Sequence, residues 1–393
     1  MSSSSRRWNF RITPVRIAMF AVFVLSVLMI LFRYYTGLGF TTNLTDNWAW
    51  GAWIMADMNV IALAGAGFSM AIITHVFHVE KYEPLSRRCL LISFIGYVLV
   101  LLILIIEIGR WDNFWRPFVS PGIHSPMFEV YMCIVAYMIL QVIELIEVGS
   151  EKVSPKFQHK MQKIMPVVFV VACVVPLGHQ ASLGSLYLAM PAKLDGIWAT
   201  QMMPWLFLLS SFFVGPAVAI VENIWSNHRY HVETDTKMLS SLTRISAVCM
   251  VIYLIAKVAD LVMRGQIGNV FSFTLQGNMF IIEMFLLCIL PIIIVLLPIG
   301  KSVGGLMVFG LSTMAGLILT RFNVVYTGMV EHLGATYFPS FLEIFTTIGL
   351  FCFAFLCYLY ITENFPFFYG VPTDCQDKET ALASESGFNQ AVL

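Results

Sequence analysis

The sequence predicts an all-α polytopic membrane protein of about ten transmembrane helices, and three observations predict it. The chain of 393 residues is 59% hydrophobic and only 12% charged, with a mean hydropathy of +0.81, which excludes an ordinary soluble domain. Apolar runs long enough to cross about 30 Å of hydrocarbon recur at roughly 16–34, 53–76, 89–108, 127–146, 164–187, 203–225, 243–263, 279–298, 303–325 and 341–361. Lysine and arginine divide unequally among the connections: with ten spans, sixteen fall on one side, six on the other, and Lys257 lies inside a span. By the positive-inside rule the richer side is cytoplasmic and holds both termini.

With no soluble domain between the runs, residues 1–393 read as one membrane domain. The Arg6-Arg7 pair resembles a twin-arginine export signal. The run after it is long and has no A-x-A-like end, so span one, 16–34, reads as an uncleaved flanking anchor. Trp48, Trp50 and Trp53 read as an interfacial aromatic belt. Span two carries Asp57 and Asn59, then small residues from Ala62 to Gly67 that let a neighbour approach closely, and exits inward at His75, His78 and Glu80. Span three ends outward at Glu107, followed by Arg110. Span four opens with Glu129 and ends with Gln141, Glu144 and Glu147, three apart and roughly on one face.

Span five closes on Pro176-Leu-Gly-His179-Gln180-Ala-Ser182, and Pro176 is expected to kink it just below His179. Span six contains Pro216 and Glu222. Span seven carries Lys257 and Asp260 one turn apart, able to pair, with Arg264 after them. Span eight carries Glu283, and span nine is glycine-rich and ends with Arg321 and Asn323. Span ten, 341–361, begins near Glu343 and flanks the rest, and 373–393 is a polar tail expected to be a disordered cytoplasmic segment. A weak internal repeat relates spans three and four to seven and eight, which suits two four-helix bundles, 53–187 and 203–325.

Ionisable groups in a bilayer are costly and usually face a cavity, a partner or a pathway. Counting about 1.5 Å of rise per residue, Asp57, Glu107, Arg110, Glu129, His179 and Gln180 share the outer third of the first bundle. Lys257, Asp260, Glu283 and Arg321 form an outer set in the second and are further proton-pathway candidates. At the inner end, His75, Glu144 and Glu147 are the acids and imidazole that a proton route across the membrane requires. The eight cysteines are scattered without a CxxC or CxxCH, so neither an iron–sulfur cluster nor an attached haem is indicated, and no metal set stands out. Zero net charge points to no nucleic-acid partner.

Four readings follow from these residues. A di-haem cytochrome needs histidine pairs at equal depth, which His75 and His179 do not supply. A secondary transporter fits the proline-broken spans, and a structural anchor of a redox complex fits the ion-paired network. A quinone site needs an apolar slot reached from the bilayer, donors for two carbonyls and a group that exchanges protons; His179, Gln180, Asp57 and Glu107 offer these.

The segments Trp48-Ala-Trp-Gly51-Ala-Trp53…Asp57, Gly96-Tyr97…Glu107-Ile-Gly109-Arg110, Phe128-Glu129, His179-Gln180-Ala-Ser182-Leu-Gly184-Ser185-Leu, Phe213-Val-Gly215…Glu222 and Arg321-Phe-Asn323-Val resemble the NrfD/PsrC family of polysulfide reductase and hydrogenase-2 membrane subunits. The match runs in order across nearly all the membrane region. The resemblance implies two four-helix bundles in a bacterial cytoplasmic (inner) membrane and a quinone, menaquinone, handled near the periplasmic face. It implies a subunit of a quinone oxidoreductase with no haem or iron–sulfur cluster of its own, and a ferredoxin-like iron–sulfur partner. It carries the site to His179, Gln180, Asp57, Glu107, Arg110 and Glu129; Glu107 stands where relatives often have aspartate. A narrower resemblance, to the membrane subunit of high-molecular-weight cytochrome complexes, adds a periplasmic multihaem cytochrome c and further membrane subunits.

Overall fold

The computed structural model describes residues 12–153, 155–334 and 337–364; the Arg6-Arg7 pair and the expected tail at 373–393 lie outside them. Among the described residues, ten helices are long and apolar enough to cross a membrane. In chain order they are span one (Pro14–Thr36), two (Ala52–Val76), three (Glu80–Glu107), four (Pro126–Glu147), five (Met165–Ala189), six (Met203–Arg229), seven (Thr236–Met263), eight (Leu275–Leu296), nine (Val303–Leu333) and ten (Phe341–Asn364). Each coincides with an expected apolar run.

Several helices outlast their apolar stretch because polar caps satisfy the end groups. Span seven starts at Thr236, ahead of its apolar run, because the Asp235 carboxylate accepts from the Lys237 and Met238 amides at 3.0 Å each. Span nine continues to Leu333 through a π-turn at Asn323–Thr327. Two more π-turns occur, at Ile72–Val76 in span two and Phe285–Ile289 in span eight. Such insertions re-aim side chains and recur at functional sites. Span five runs helically through Pro176.

Arg16 at the start of span one pairs with Glu363 at the end of span ten, and Arg229 at the end of span six reaches the same carboxylate at 3.4 Å. These ends therefore share one side, called here the terminal side. Span one packs along span ten, where the Ser26 hydroxyl donates to the Phe345 carbonyl at 3.2 Å. Span ten in turn lies on span three. Span two touches three and five, and span four touches the same two; spans six to nine close in the same cyclic order. Span six joins the two groups through spans two and five.

Small residues make these close helix contacts possible. A Cβ on Gly67 would come within 2.5 Å of the Ser93 Cβ in span three. One on Gly215 would meet the Ser69 hydroxyl of span two at 1.7 Å. Neither position tolerates a side chain without separating the helices.

Candidate functional site

A cavity of about 750 Å³ opens among spans two to five beneath the connection that follows span three. Its walls are mostly apolar, including Ile54, Leu104, Val130, Leu183 and Leu186. Asp57 is the one carboxylate among its lining residues and Arg116 the one cation. Asp57 is only 2% exposed, and its Oδ1 has no hydrogen-bond partner.

Behind the cavity, His179 is fully enclosed with neither ring nitrogen hydrogen-bonded. It stands one and two turns below Leu183 and Leu186, which face the cavity. Its ring lies 5.9 Å from that of Tyr97, whose hydroxyl is also buried and unpartnered. Gln180 donates to the Ile61 carbonyl at 3.2 Å and leaves its Oε1 unpaired. Buried polar atoms are hydrogen-bonded in the great majority of cases, and one left unpaired costs about 1–3 kcal/mol. Several such atoms in one helix group mark a place where stability has been given up.

The polar file continues towards the terminal side. Tyr97 meets Tyr137 edge-on at 4.7 Å, the Tyr137 hydroxyl is 3.5 Å from that of Ser93, and Gln141 donates to Ser93 at 2.6 Å. Tyr137 then lines a second cavity, of about 320 Å³, together with His75, Glu83, Arg87, Glu144 and Glu147. Glu144 is buried, while His75 is exposed and stacks on Phe169 at 4.4 Å. The structure thus gathers the three inner candidates, His75, Glu144 and Glu147, around one opening.

The remaining outer residues separate. Glu107 has an enclosed, unpartnered Oε2 and lies within Coulomb reach of Asp57, Glu343 and Arg33. The cation facing it is Arg33 of span one, 1% exposed and donating to the Ile108 carbonyl at 2.8 Å. Arg110 is instead exposed and pairs with Asp112 at 3.4 Å, and Glu129 is exposed on span four. The expected aromatic belt is largely internal. Trp48 stacks on Tyr337, Trp53 donates to Thr346 at 3.1 Å, and both are buried, because span ten and the connection before it cover them. The Tyr337 hydroxyl donates to Glu343 at 2.7 Å; burial and that carboxylate push its phenol well above the ordinary range.

In spans six to nine, Asp260 accepts from Thr200 at 2.6 Å and from two nitrogens of Arg264 at 2.6 and 3.0 Å. This corrects the expected Lys257–Asp260 pair: the planar guanidinium takes both available bonds of one oxygen, and Lys257 lies over the Phe280 ring instead. Glu283 accepts from Trp198 at 3.2 Å and Asn323 at 2.8 Å. Arg321 donates to Ser210 at 3.0 Å and stacks 3.3 Å over Phe207.

Sequence reasoning alone misses Tyr97, Tyr137, Ser93, Arg33 and Glu343 as site residues. Tyr137, Gln141 and Glu144 lie at i, i+4 and i+7, so the helical period already places the tyrosine on the face of the inner acids. Arg33 and Glu343 carry only the weaker signal of charges near the ends of flanking spans.

Fold and site together define a multi-pass helical membrane protein with a largely apolar cavity backed by buried, unsatisfied polar groups. The model of the family "Polysulphide reductase, NrfD" matches residues 40–332, and the chain belongs to that family. It is 26% identical over 351 residues to the "Probable Ni/Fe-hydrogenase 2 b-type cytochrome subunit" of Escherichia coli, covering 87% of this chain and 89% of that protein. It is 24% identical over 236 residues to the "Menaquinone reductase, integral membrane subunit" of Nitratidesulfovibrio vulgaris, covering 57% and 56%. It is 22% identical to one of the selenate reductase subunits of Mesobacillus selenatarsenatis, covering 83% and 88%.

Proposed function

We propose that this chain is the quinone-interacting membrane subunit of a respiratory oxidoreductase, exchanging electrons between menaquinone and a ferredoxin-like iron–sulfur partner. The observation that carries the reading is the apolar cavity whose one carboxylate, Asp57, is backed by His179, Tyr97 and Gln180 with unpaired polar atoms. The relatives named for menaquinone reduction, hydrogenase and selenate reduction support it and favour a multi-subunit complex.

The cavity suits a flat ring with a prenyl tail, since it is largely apolar and offers hydrogen-bonding groups at few positions. Quinone supplies two carbonyl acceptors and two-electron, two-proton chemistry. Asp57 holds the proton nearest the ring, His179 and Gln180 fix the polar end of the pocket, and Arg33 offsets Glu107. Tyr97, Tyr137, Ser93 and Gln141 form the file along which protons reach Glu144 and His75 through water. In this reading the terminal side is cytoplasmic, the membrane is the bacterial inner membrane, and a periplasmic multihaem cytochrome c is a further partner.

Purified wild-type complex should co-extract menaquinone and a cluster-bearing subunit. His179→Ala should assemble normally yet lose quinone-coupled electron transfer. Co-extraction of a polar solute in place of quinone, with turnover intact in His179→Ala, would assign the paired cavities to a transporter.

A further inference from the structure

Far from the quinone cavity, spans seven and eight meet at the terminal side around a pocket of about 300 Å³. Its walls are Thr236, Lys237, Ser240, Ser241, Arg244 and Lys301. The span-seven residues fall at i, i+1, i+4, i+5 and i+8, one face of the helix, and Lys301 comes from the turn between spans eight and nine. Among the described residues, the side chains of Lys237, Arg244 and Lys301 have no carboxylate partner. Asp235, two residues before Lys237, accepts from the Lys237 and Met238 amides. A fourth cation, Lys81, reaches the Ser241 hydroxyl at 3.0 Å.

Ordinary cytoplasmic-side lysines point outward, each into its own water. Here three converge on one concavity, and a second feature points the same way. Ser240 is 9% exposed, lines the pocket and has no hydrogen-bond partner for its hydroxyl. A largely buried serine whose hydroxyl has no partner, beside unpaired cations, is the donor set of a phosphate site.

Exposed Ile245 and Val248 continue down span seven from Arg244, and exposed Ile299 and Leu296 lead down from Lys301. Polar donors at the hydrocarbon boundary with apolar walls below fit a molecule that is charged at one end and greasy along the rest.

We propose that this pocket binds the phosphodiester headgroup of an anionic phospholipid, with Lys237, Arg244 and Lys301 supplying charge and Ser240 a hydrogen bond. The acyl chains lie along spans seven and eight.

The test uses the full-length protein, delipidated in mild detergent and titrated with phosphatidylglycerol or phosphatidylcholine of identical chains, following thermal stability. Phosphatidylglycerol should raise the melting temperature and phosphatidylcholine should not. The triple variant Lys237→Gln/Arg244→Gln/Lys301→Gln should weaken phosphatidylglycerol binding by about a hundredfold, from the expected contribution per interfacial cation. Lys160→Gln/Lys163→Gln, on another exposed basic stretch, should leave it unchanged. Ser240→Ala retains every charge and should weaken binding by about threefold, which preserves the test if the triple variant does not fold. Equal response to both lipids, equal loss in the Lys160/Lys163 control, or an identical shift from inorganic phosphate alone would overturn the assignment.

Discussion

Spans two to five leave Asp57, Tyr97, His179 and Gln180 each with a buried polar atom unpaired. Spans six to nine hold Asp260 with three hydrogen bonds and Glu283 with two. Both groups bury charge towards the end opposite the terminal side, and both belong to four helices in cyclic contact. The second group uses its charges to tie helices together; the few atoms it leaves over, Glu222 Oε2, Glu283 Oε1 and Arg321 Nε, belong to side chains already anchored elsewhere. The first group has a cavity beside it and donors and acceptors aimed at nothing in the protein. Buried polarity alone therefore does not mark a site; polarity that the fold declines to satisfy, next to an opening, does.

That contrast predicts opposite phenotypes. Asp57→Asn should reduce quinone-coupled turnover by two to three orders of magnitude, the range of a lost proton-transfer group, with melting temperature almost unchanged. Arg264→Gln should do the reverse. Leaving Asp260 buried with one partner costs about 3–5 kcal/mol, read as a lower melting temperature, while turnover per folded molecule stays within a factor of about two.

Tyr97→Phe sharpens the comparison further. It deletes a hydroxyl that makes no bond, so stability should hold or rise, yet turnover should fall about a hundredfold, the low end of the proton-transfer range. A stability loss with unchanged turnover would place Tyr97 among the structural groups. Arg110→Gln should have the smallest effect, under about 1 kcal/mol for an exposed ion pair, with turnover changed by less than about twofold.

How much of this is legible in the sequence follows from what each signal measures. Hydropathy reports length, so every span is readable, but it carries no azimuth: Arg110 and Glu129, expected from rise per residue at the level of Asp57 and His179, are exposed. Trp48 and Trp53 look like an interface belt until span ten, nearly three hundred residues later, covers them. Tyr97 and Tyr137 pass as core aromatics because a tyrosine in a membrane helix is ordinary; only the partners that Tyr97 lacks distinguish it. The pairing of Asp260 with Arg264 over Lys257 depends on guanidinium geometry, which spacing does not report.

The central claim, that the cavity beside Asp57 holds the quinone ring, is tested most directly by filling it. Ile54 lines the cavity without being fully buried, so Ile54→Trp should occupy the space while the helices remain packed. Menaquinone bound per mole of purified complex should then fall at least tenfold relative to wild type, while Glu283→Gln retains the wild-type content. A folded Ile54→Trp complex carrying as much quinone as wild type would contradict the account.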